Sequence, residues 1–168
     1  SSAAAAAHNV RVTLLPFILK AVVAALRQYP RLNASLDEVQ NRLVLKRYYH
    51  LGIATDTAEG LIVPVLKDVD QKNIVTLATE LARLTDLART RRIPLADLRG
   101  GTFTLSNYGA IGGIFATPML HLPEVAILGV GKLLQKPVVY NSEVVIRTML
   151  PLSLTFDHRA LDGAEAQR

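Results

Sequence analysis

The segment at residues 14–29 constrains the fold more than any other, because it predicts a helix that is apolar on nearly all sides. In LLPFILKAVVAALRQY the helical wheel carries polar side chains only at Lys20, Arg27 and Gln28. Pro30 follows directly and cannot continue a helix. A helix of this kind is mostly buried. The chain of 168 residues is long enough to bury it within one domain.

Residues 72–90 predict a second helix of a different, amphipathic kind. One apolar stripe recurs at three- to four-residue spacing, and the charged residues lie opposite to it. The stripe consists of Ile74, Leu77, Ala78, Leu81, Leu84 and Leu87. We therefore expect this helix to pack against the core along one side.

Short β-strand patterns occupy much of the remaining chain. After a turn-like stretch at residues 33–41, alternation predicts a strand near residues 42–49, and the segments GIATDT and GLIVPVLKD predict a further pair. The second of that pair contains Pro64, which suits an edge strand. Later strands are predicted to end in FTLS, to cover EVAILGVG and LPLSLTF, and to form a hairpin centred on Asn141 and Ser142. Interspersed strands and helices predict an α/β fold, a two-layer sandwich of a mixed β-sheet with helices packed on it.

The composition excludes several classes of function. The chain has no cysteine, which rules out a disulfide framework, thiolate catalysis and a zinc–thiolate site. Each long apolar stretch is interrupted by Lys20 or a proline before it reaches the length of a membrane span, so no membrane association is predicted. A net charge of +5 favours anionic partners. The basic run at residues 89–92 contains no aromatic side chain, however, and nucleic-acid binding is not predicted.

The segment DHRALDG follows the last predicted strand and carries the strongest candidate for chemistry. The strand should end where Asp157 and His158 emerge at the edge of a sheet. A neutral imidazole at such a position suits proton abstraction near pH 7. Asp162 lies four residues after His158 and shares a face with it if the chain turns helically there, and Gly163 permits an unusual turn. His158 is therefore the candidate general base.

Other interpretations of the same residues are less well supported. His158 and Asp162 could both bind a divalent ion, but no third ligand is evident, and no metal site is predicted. The glycines at positions 129 and 131 match neither a dinucleotide-binding loop nor a phosphate-binding loop, because position 134 is leucine and position 126 is alanine. The remaining histidines are interpreted as structural; they are His8, His50 and His121.

Three separated motifs resemble the catalytic domain of the acyltransferases of 2-oxo acid dehydrogenase complexes. They are FTLSNYGAIGG, PEVAILGVG and DHRALDG, in the order found in that family, and LNASLDE, GIATDTAEGLIVPV and GGTF extend the resemblance from about Val10 onward. The resemblance implies a chloramphenicol acetyltransferase-like fold. It also implies that residues 1–168 form a single acyltransferase catalytic domain that is truncated at both ends, with an alanine-rich segment of uncertain role at residues 1–9.

The resemblance implies transfer of an acyl group between dihydrolipoamide and coenzyme A. His158 would take the proton from the attacking thiol, Asp162 would support the site, and Ser106 would donate a hydrogen bond to the oxyanion. The residues implied to line the coenzyme A side are Thr13, Asp56, Ser106 and Asn107. Tyr108 stands where the family often has leucine or isoleucine, which would alter the pocket.

The same resemblance implies an assembly. Homotrimers with active sites across the subunit interface would build a cubic or dodecahedral core, whose partners are lipoyl domains, the dehydrogenase and dihydrolipoamide dehydrogenase. The lipoyl group would be carried on a separate domain. The protein would be located in the cytoplasm of a bacterium or archaeon, or in the mitochondrial matrix. Two alternatives stay open at this point: a non-catalytic core scaffold of such a complex, and a coenzyme A-dependent O-acetyltransferase of a small molecule.

Overall fold

The computed structural model describes residues 12–167 and begins with the predicted apolar helix. This helix, α1, spans Leu15–Gln28, and Pro30 opens a short 3-10 helix directly after it. Its buried side lies on the core through Leu19, Val22 and Leu26, among others. The opposite side is apolar but exposed, as at Phe17, Ala21 and Ala24. An open groove of about 380 Å³ runs along the border between the helix and the sheet. The prediction of the helix is confirmed, and its burial is limited to one side.

Two further helices and ten strands complete the described fold. The other helices are α2 (Ile74–Arg89) and α3 (Gly163–Gln167), with 3-10 helices at Pro30–Leu32, Leu95–Leu98 and Tyr108–Ile111. The strands are β1 (Ala34–Asp37), β2 (Arg42–Leu45), β3 (Leu51–Thr57), β4 (Gly60–Ile62), β5 (Val65–Leu66), β6 (Phe103–Asn107), β7 (Ala126–Val130), β8 (Leu134–Tyr140), β9 (Glu143–Met149) and β10 (Leu152–Phe156). The helix predicted at residues 72–90 is thus confirmed as α2, where the Asn73 side chain accepts a hydrogen bond from the backbone N–H of Thr76 and caps the first turn.

The main sheet is mixed, as predicted. Its strands follow the order β10, β7, β6, β3 and β4, and β5 pairs with another part of β3. The central strands β3, β6 and β7 are parallel, whereas β10 and β4 are antiparallel to their neighbours at the two edges. Parallel neighbours need long crossover connections, and the crossover from β3 to β6 contains α2.

The two faces of this sheet differ in character. Leu51, Ile53, Phe103 and Leu105 point to the face that packs with the helices, in one apolar core. Most of the alternate residues of β6 and its neighbours point to the other face and are small or polar, as at Ser106, although Ile127 of β7 also points there. The helices thus cover one face, and the predicted two-layer architecture is confirmed.

The structure of residues 33–41 differs from the turn that the sequence predicted. Instead of a turn throughout, it contains β1, which pairs in antiparallel register with β2, and β2 ends at Leu45 instead of continuing to residue 49. The Asp37 carboxylate accepts the backbone N–H of Gln40 and closes the turn between the strands. The buried Asn33 amide donates to the carbonyls of Lys46 and Tyr48, which directs the chain away from the hairpin.

The hairpin predicted at Asn141 and Ser142 is confirmed as a separate ribbon formed by β8 and β9. Tyr140 and Glu143 close the loop, so only two residues connect the strands. Both connecting residues have positive φ angles, 52° for Asn141 and 64° for Ser142. Positive φ at both central residues is the type I′ turn, whose second position strongly prefers glycine.

Replacement of Ser142 by glycine is therefore expected to stabilise the ribbon. The left-handed conformation disfavours a serine side chain, so Ser142→Gly should slow amide hydrogen exchange along β8 and β9. The free energy of local opening should rise by about 0.5–1 kcal/mol. Ser142→Val is the matched control and should speed exchange, because a β-branched residue tolerates this conformation poorly. Equal exchange in the glycine variant and the parent would contradict the turn geometry.

Candidate active site

His158 lies at the exposed tip of a turn that follows β10. The backbone N–H groups of Ala160 and Leu161 both donate to the carbonyl of Asp157, which closes the turn. Ala160 and Leu161 are buried in the core, so they anchor the base of the turn while His158 faces outward. The imidazole lies beside the Phe156 ring, with 5.8 Å between the ring centroids. The predicted presentation of this side chain at the edge of the sheet matches the structure.

The exposed Arg159 side chain forms hydrogen bonds with residues at the start of the same turn and beyond it. Its guanidinium donates to both carboxylate oxygens of Asp157, with Nη2 2.8 Å from Oδ2 and Nε 3.1 Å from Oδ1. Its Nη1 lies 3.0 Å from Oε1 of Glu38, just after β1. The hydrogen bonds from Arg159 lower the pKa of Asp157, so this carboxylate is ionised near neutral pH. The sequence interpretation missed Arg159, although the charged pair Asp-X-Arg inside DHRALDG was a usable signal.

Asp162 lies at the start of α3 and caps it. Its Oδ1 accepts the backbone N–H of Glu165 at 2.8 Å. The turn at Asp157–Leu161 and the helix that begins at Gly163 are separate, so the continuous helical turn considered from the sequence does not form. In the structure Asp162 therefore fixes where α3 begins, immediately after the turn that presents His158.

Ser106 lies near the opposite end of the same sheet. It is in register with Gly129 of β7, whereas Phe156 of β10 is in register with Ala126, three residues earlier on β7. Strands rise about 3.3 Å per residue and lie about 4.8 Å apart. The end of β10 is thus roughly 10 Å from Ser106 along the strands and roughly 10 Å across them, and His158 lies farther still. One chain alone does not bring the two side chains together.

The other three predicted binding residues lie toward the end of the sheet that carries Ser106. Asn107 is the last residue of β6, and Asp56 is exposed two residues beyond Ala54, the β3 neighbour of Ser106. Thr13 is exposed and lines a cavity of about 340 Å³ with the last turns of α2, including Arg89. Arg91, just after α2, forms an ion pair with Glu59 in the turn between β3 and β4, which places this end of α2 near Asp56.

Glu124 is a buried carboxyl group that the sequence did not single out. Only 3% of it is exposed, and Oε2 accepts a hydrogen bond of 2.6 Å from the Thr104 hydroxyl. Nδ1 of His121 lies 3.4 Å from Oε1. Burial raises the pKa of Glu124. Nothing local in PEVAIL signals this, because the residues that bury Glu124 are distant in sequence.

The remaining histidines have different surroundings. His50 accepts a hydrogen bond from the backbone N–H of Asp68 at Nδ1, and its ring lies against Tyr48, which agrees with a structural role. His121 contacts Glu124 as described above, and His8 lies outside the described residues.

Residues 12–167 contain neither a metal-binding cluster nor a helix that could span a membrane. Within this part of the chain, no group of three or more histidine, cysteine, aspartate or glutamate side chains is placed to hold a metal ion. None of the helices found there has both the length and the apolar character required to cross a membrane.

The architecture defines the fold class of the chain. A chloramphenicol acetyltransferase superposes with a TM-score of 0.55 at 17% identity, covering 92% of this chain and 73% of that one. This likeness shows a chloramphenicol acetyltransferase-like fold, as expected from the sequence. The model of the 2-oxoacid dehydrogenases acyltransferase (catalytic domain) family matches residues 1–168, and the chain belongs to that family.

Individual relatives agree with this assignment. The chain is 47% identical over 160 residues to the dihydrolipoyllysine-residue acetyltransferase component of the pyruvate dehydrogenase complex of Cupriavidus necator, covering 95% of this chain but only 29% of the relative. A structure of the cubic core of the pyruvate dehydrogenase multienzyme complex has a TM-score of 0.94 at 43% identity, covering 98% of this chain and 68% of that one.

A third relative has been studied for its mechanism. A structure of Azotobacter vinelandii dihydrolipoamide acetyltransferase has a TM-score of 0.93 at 44% identity, with the same coverage of 98% and 68%. The roles of one serine, one histidine and one asparagine in its catalytic mechanism have been investigated. The resemblance to acyltransferases of 2-oxo acid dehydrogenase complexes is thereby confirmed.

Glu124 should make the stability of the protein depend on pH. Because its pKa is raised above the usual 4.5, the folded chain keeps a proton that the unfolded chain releases, so stability falls as pH rises from about 4.5 to the raised value. Glu124→Gln removes this titration. The free energy of unfolding of the variant, relative to the parent, should therefore increase with pH in urea denaturation between pH 4 and pH 8.

Glu143→Gln, on the exposed hairpin, provides the matched control for that experiment and should not reproduce the trend. If Glu124→Gln and the parent keep a constant difference in stability across this pH range, the buried carboxyl does not titrate as the structure implies.

Proposed function

We propose that this chain transfers an acyl group between dihydrolipoamide and coenzyme A, with His158 as general base and Ser106 as oxyanion donor. The observation that carries the proposal is the spacing of three side chains. In the Azotobacter vinelandii enzyme the investigated serine lies 52 residues before the histidine, and the asparagine lies four residues after it. Ser106, His158 and Asp162 have the same two spacings.

Asp162 stands where that relative has its asparagine. Aspartate and asparagine share one side-chain oxygen that can accept a backbone N–H, and Asp162 uses Oδ1 in this way to cap α3. The substitution therefore preserves the cap and changes the charge beside the catalytic turn. Asp162 is proposed as a supporting residue, not as the base.

The chemistry needs only a base and a hydrogen-bond donor. Exchange of an acyl group between two thiols is nearly balanced in energy. The protein therefore has to take a proton from the attacking thiol and stabilise the oxyanion that forms when the thiol adds to the thioester carbonyl. An exposed imidazole that is open to substrate suits the first task, and a hydroxyl at the end of β6 suits the second. Both sulfur nucleophiles come from the substrates, because the chain has no cysteine.

The distance between His158 and Ser106 supports an active site shared between subunits. A single chain separates them, so the turn of one subunit has to meet the β6 end of another, as in a cyclic trimer. Large apolar side chains near that end are exposed, which suits burial in an assembly. They include Ile111, Phe115 and Met119 after β6, and Val139, Val144 and Ile146 on the hairpin.

Coenzyme A is proposed to bind at the end of the sheet that carries Ser106, Asn107, Asp56 and Thr13. The nearby Arg89 supplies a positive charge for its phosphates. By analogy with the relatives, the trimers would build a larger, cubic core that works with lipoyl domains, a dehydrogenase and dihydrolipoamide dehydrogenase. Lipoyl groups would reach His158 from the side of the shared active site that is opposite to coenzyme A. The complex would work in the cytoplasm of a bacterium.

Removal of either proposed catalytic side chain should reduce acyl transfer without loss of the fold. His158→Ala should lower kcat by about 10²–10⁴-fold, because it removes the base. Ser106→Ala should lower it by about 10²–10³-fold, because it removes one oxyanion donor. The assay is acetyl transfer from acetyl-CoA to dihydrolipoamide by the full-length protein, with oligomer mass measured in parallel. Ser142→Ala is the control for Ser106, and unchanged turnover in His158→Ala would end the proposal.

A mixture of the two inactive variants tests whether subunits share the site. If His158 of one chain works with Ser106 of the next, coassembly of His158→Ala with Ser106→Ala restores some intact sites, about a quarter of the parental number in an equal random mixture. The variants are denatured and refolded together, and activity is compared with separately refolded samples. Activity no greater than the sum of the separate samples, in assembled protein, would place both groups within one chain.

A further inference from the structure

The Tyr108 side chain folds back over the neighbouring strand beside Ser106. Tyr108 begins the 3-10 helix that follows β6, two residues after Ser106. Its hydroxyl lies 2.9 Å from Oγ of Ser153 on β10, so it spans the width of β7. The position that a Cβ atom on Gly129 would occupy is 2.7 Å from Cε1 of Tyr108 and 3.1 Å from its hydroxyl. The Ser153 hydroxyl lies closer still, so the ring and this hydroxyl together occupy the space that any side chain at position 129 would need.

The strand register places this ring next to the Ser106 hydroxyl. Gly129 is the β7 neighbour of Ser106, and in-register residues of adjacent strands point to the same face about 4.8 Å apart. On the opposite side, the β3 neighbour of Ser106 is Ala54. Ser106 is thus flanked by a methyl group on one side and by an aromatic ring on the other. The ring is the larger and more restrictive neighbour.

Contacts on both sides fix the position of the ring. The hydroxyl is tied to Ser153, and the backbone N–H of Gly113 donates to the Tyr108 carbonyl at 3.0 Å. A Cβ atom on Gly113 would lie only 3.0 Å from Cδ2 of the ring, so the returning loop packs closely against it. An aromatic side chain has two rotatable bonds, and both ends of this one are held. Tyr108 is therefore a rigid wall and not a mobile cover.

We propose that Tyr108 determines which acyl groups the site accepts, by forming one wall of the acyl subsite and restricting it to small groups. The inference rests on the proposed function, in which Ser106 donates to the oxyanion. An oxyanion lies about 2.7–3.1 Å from its donor. The rest of the acyl group is bonded to the carbon atom that carries this oxyanion. It therefore lies within reach of the Tyr108 ring, which is one strand spacing from Ser106. A branched acyl group meets the ring, whereas an acetyl group fits beside it.

The Ser153 hydroxyl acts through Tyr108 in this scheme. It lies two strands away from Ser106, so it is a positioning residue that holds the ring. Loss of the hydrogen bond leaves the ring present but less constrained. Loss of the ring opens the space above Gly129. The two kinds of substitution should therefore change acyl selection to different extents.

The test compares acetyl-CoA with isobutyryl-CoA as donors to dihydrolipoamide, using the full-length protein and the ratio of the two kcat/KM values. The parent should prefer acetyl, and Tyr108→Ala should reduce that preference by at least about tenfold, mainly through a higher kcat/KM for isobutyryl-CoA. Tyr108→Phe and Ser153→Ala should change it only a few-fold, because the ring remains. Tyr48→Ala is the matched tyrosine control, and the ratio should stay at the parental value.

Each outcome decides a separate point. An unchanged ratio in Tyr108→Ala, with turnover and oligomer mass retained, overturns the role of Tyr108 and leaves the proposed function intact. If that variant does not fold, Tyr108→Leu decides, since leucine keeps an apolar side chain but removes the flat ring and should shift the ratio in the same direction. A parent protein that transfers neither acyl group in either direction overturns the proposed function itself.

Discussion

The pairing of β7 with β6 on one side and with β10 on the other is the constraint on which the candidate site depends. Because β6 is parallel to β7 and β10 is antiparallel to it, the end of β6 and the end of β10 lie at opposite ends of the sheet. Ser106 is the penultimate residue of β6, and His158 follows β10. No side-chain rotamer closes a gap of this size. The topology thus separates the two candidate groups within one chain, and the proposed active site joins them across two subunits.

The same sheet assigns different tasks to its two faces. The face against the helices is filled with leucine, isoleucine, valine and phenylalanine, which supplies the burial that stabilises the domain. The other face carries Ala54, Ser106, Gly129 and Ser153 in one row across four strands. Small residues leave room above the row, and Tyr108 fills part of it. One sheet therefore combines an apolar face that stabilises the domain with a recessed face at the proposed active site.

The sequence predicted what local patterns control and missed what distant contacts control. Both long helices were predictable, because Pro30 ends α1 and the apolar stripe of α2 repeats at helical spacing. Strand β1 was not, since its polar residues favour turns and it is stabilised by pairing with β2. The burial of Glu124 was invisible for a similar reason, because its hydrogen-bond partner Thr104 belongs to a neighbouring segment of the sheet.

The turn that carries His158 is held mainly by burial and not by charge. The Arg159 side chain is 60% exposed and Glu38 is 71% exposed, and ion pairs in water contribute little to stability. Leu161 is only 2% exposed, and a fully buried leucine contributes about 1.5–3 kcal/mol. The ion pairs of Arg159 instead orient the Asp157 carboxylate and link the turn to the β1–β2 hairpin. A turn that is anchored by buried residues and open at its tip suits the proposed role of His158, in which the substrate and the oxyanion donor both come from outside the chain.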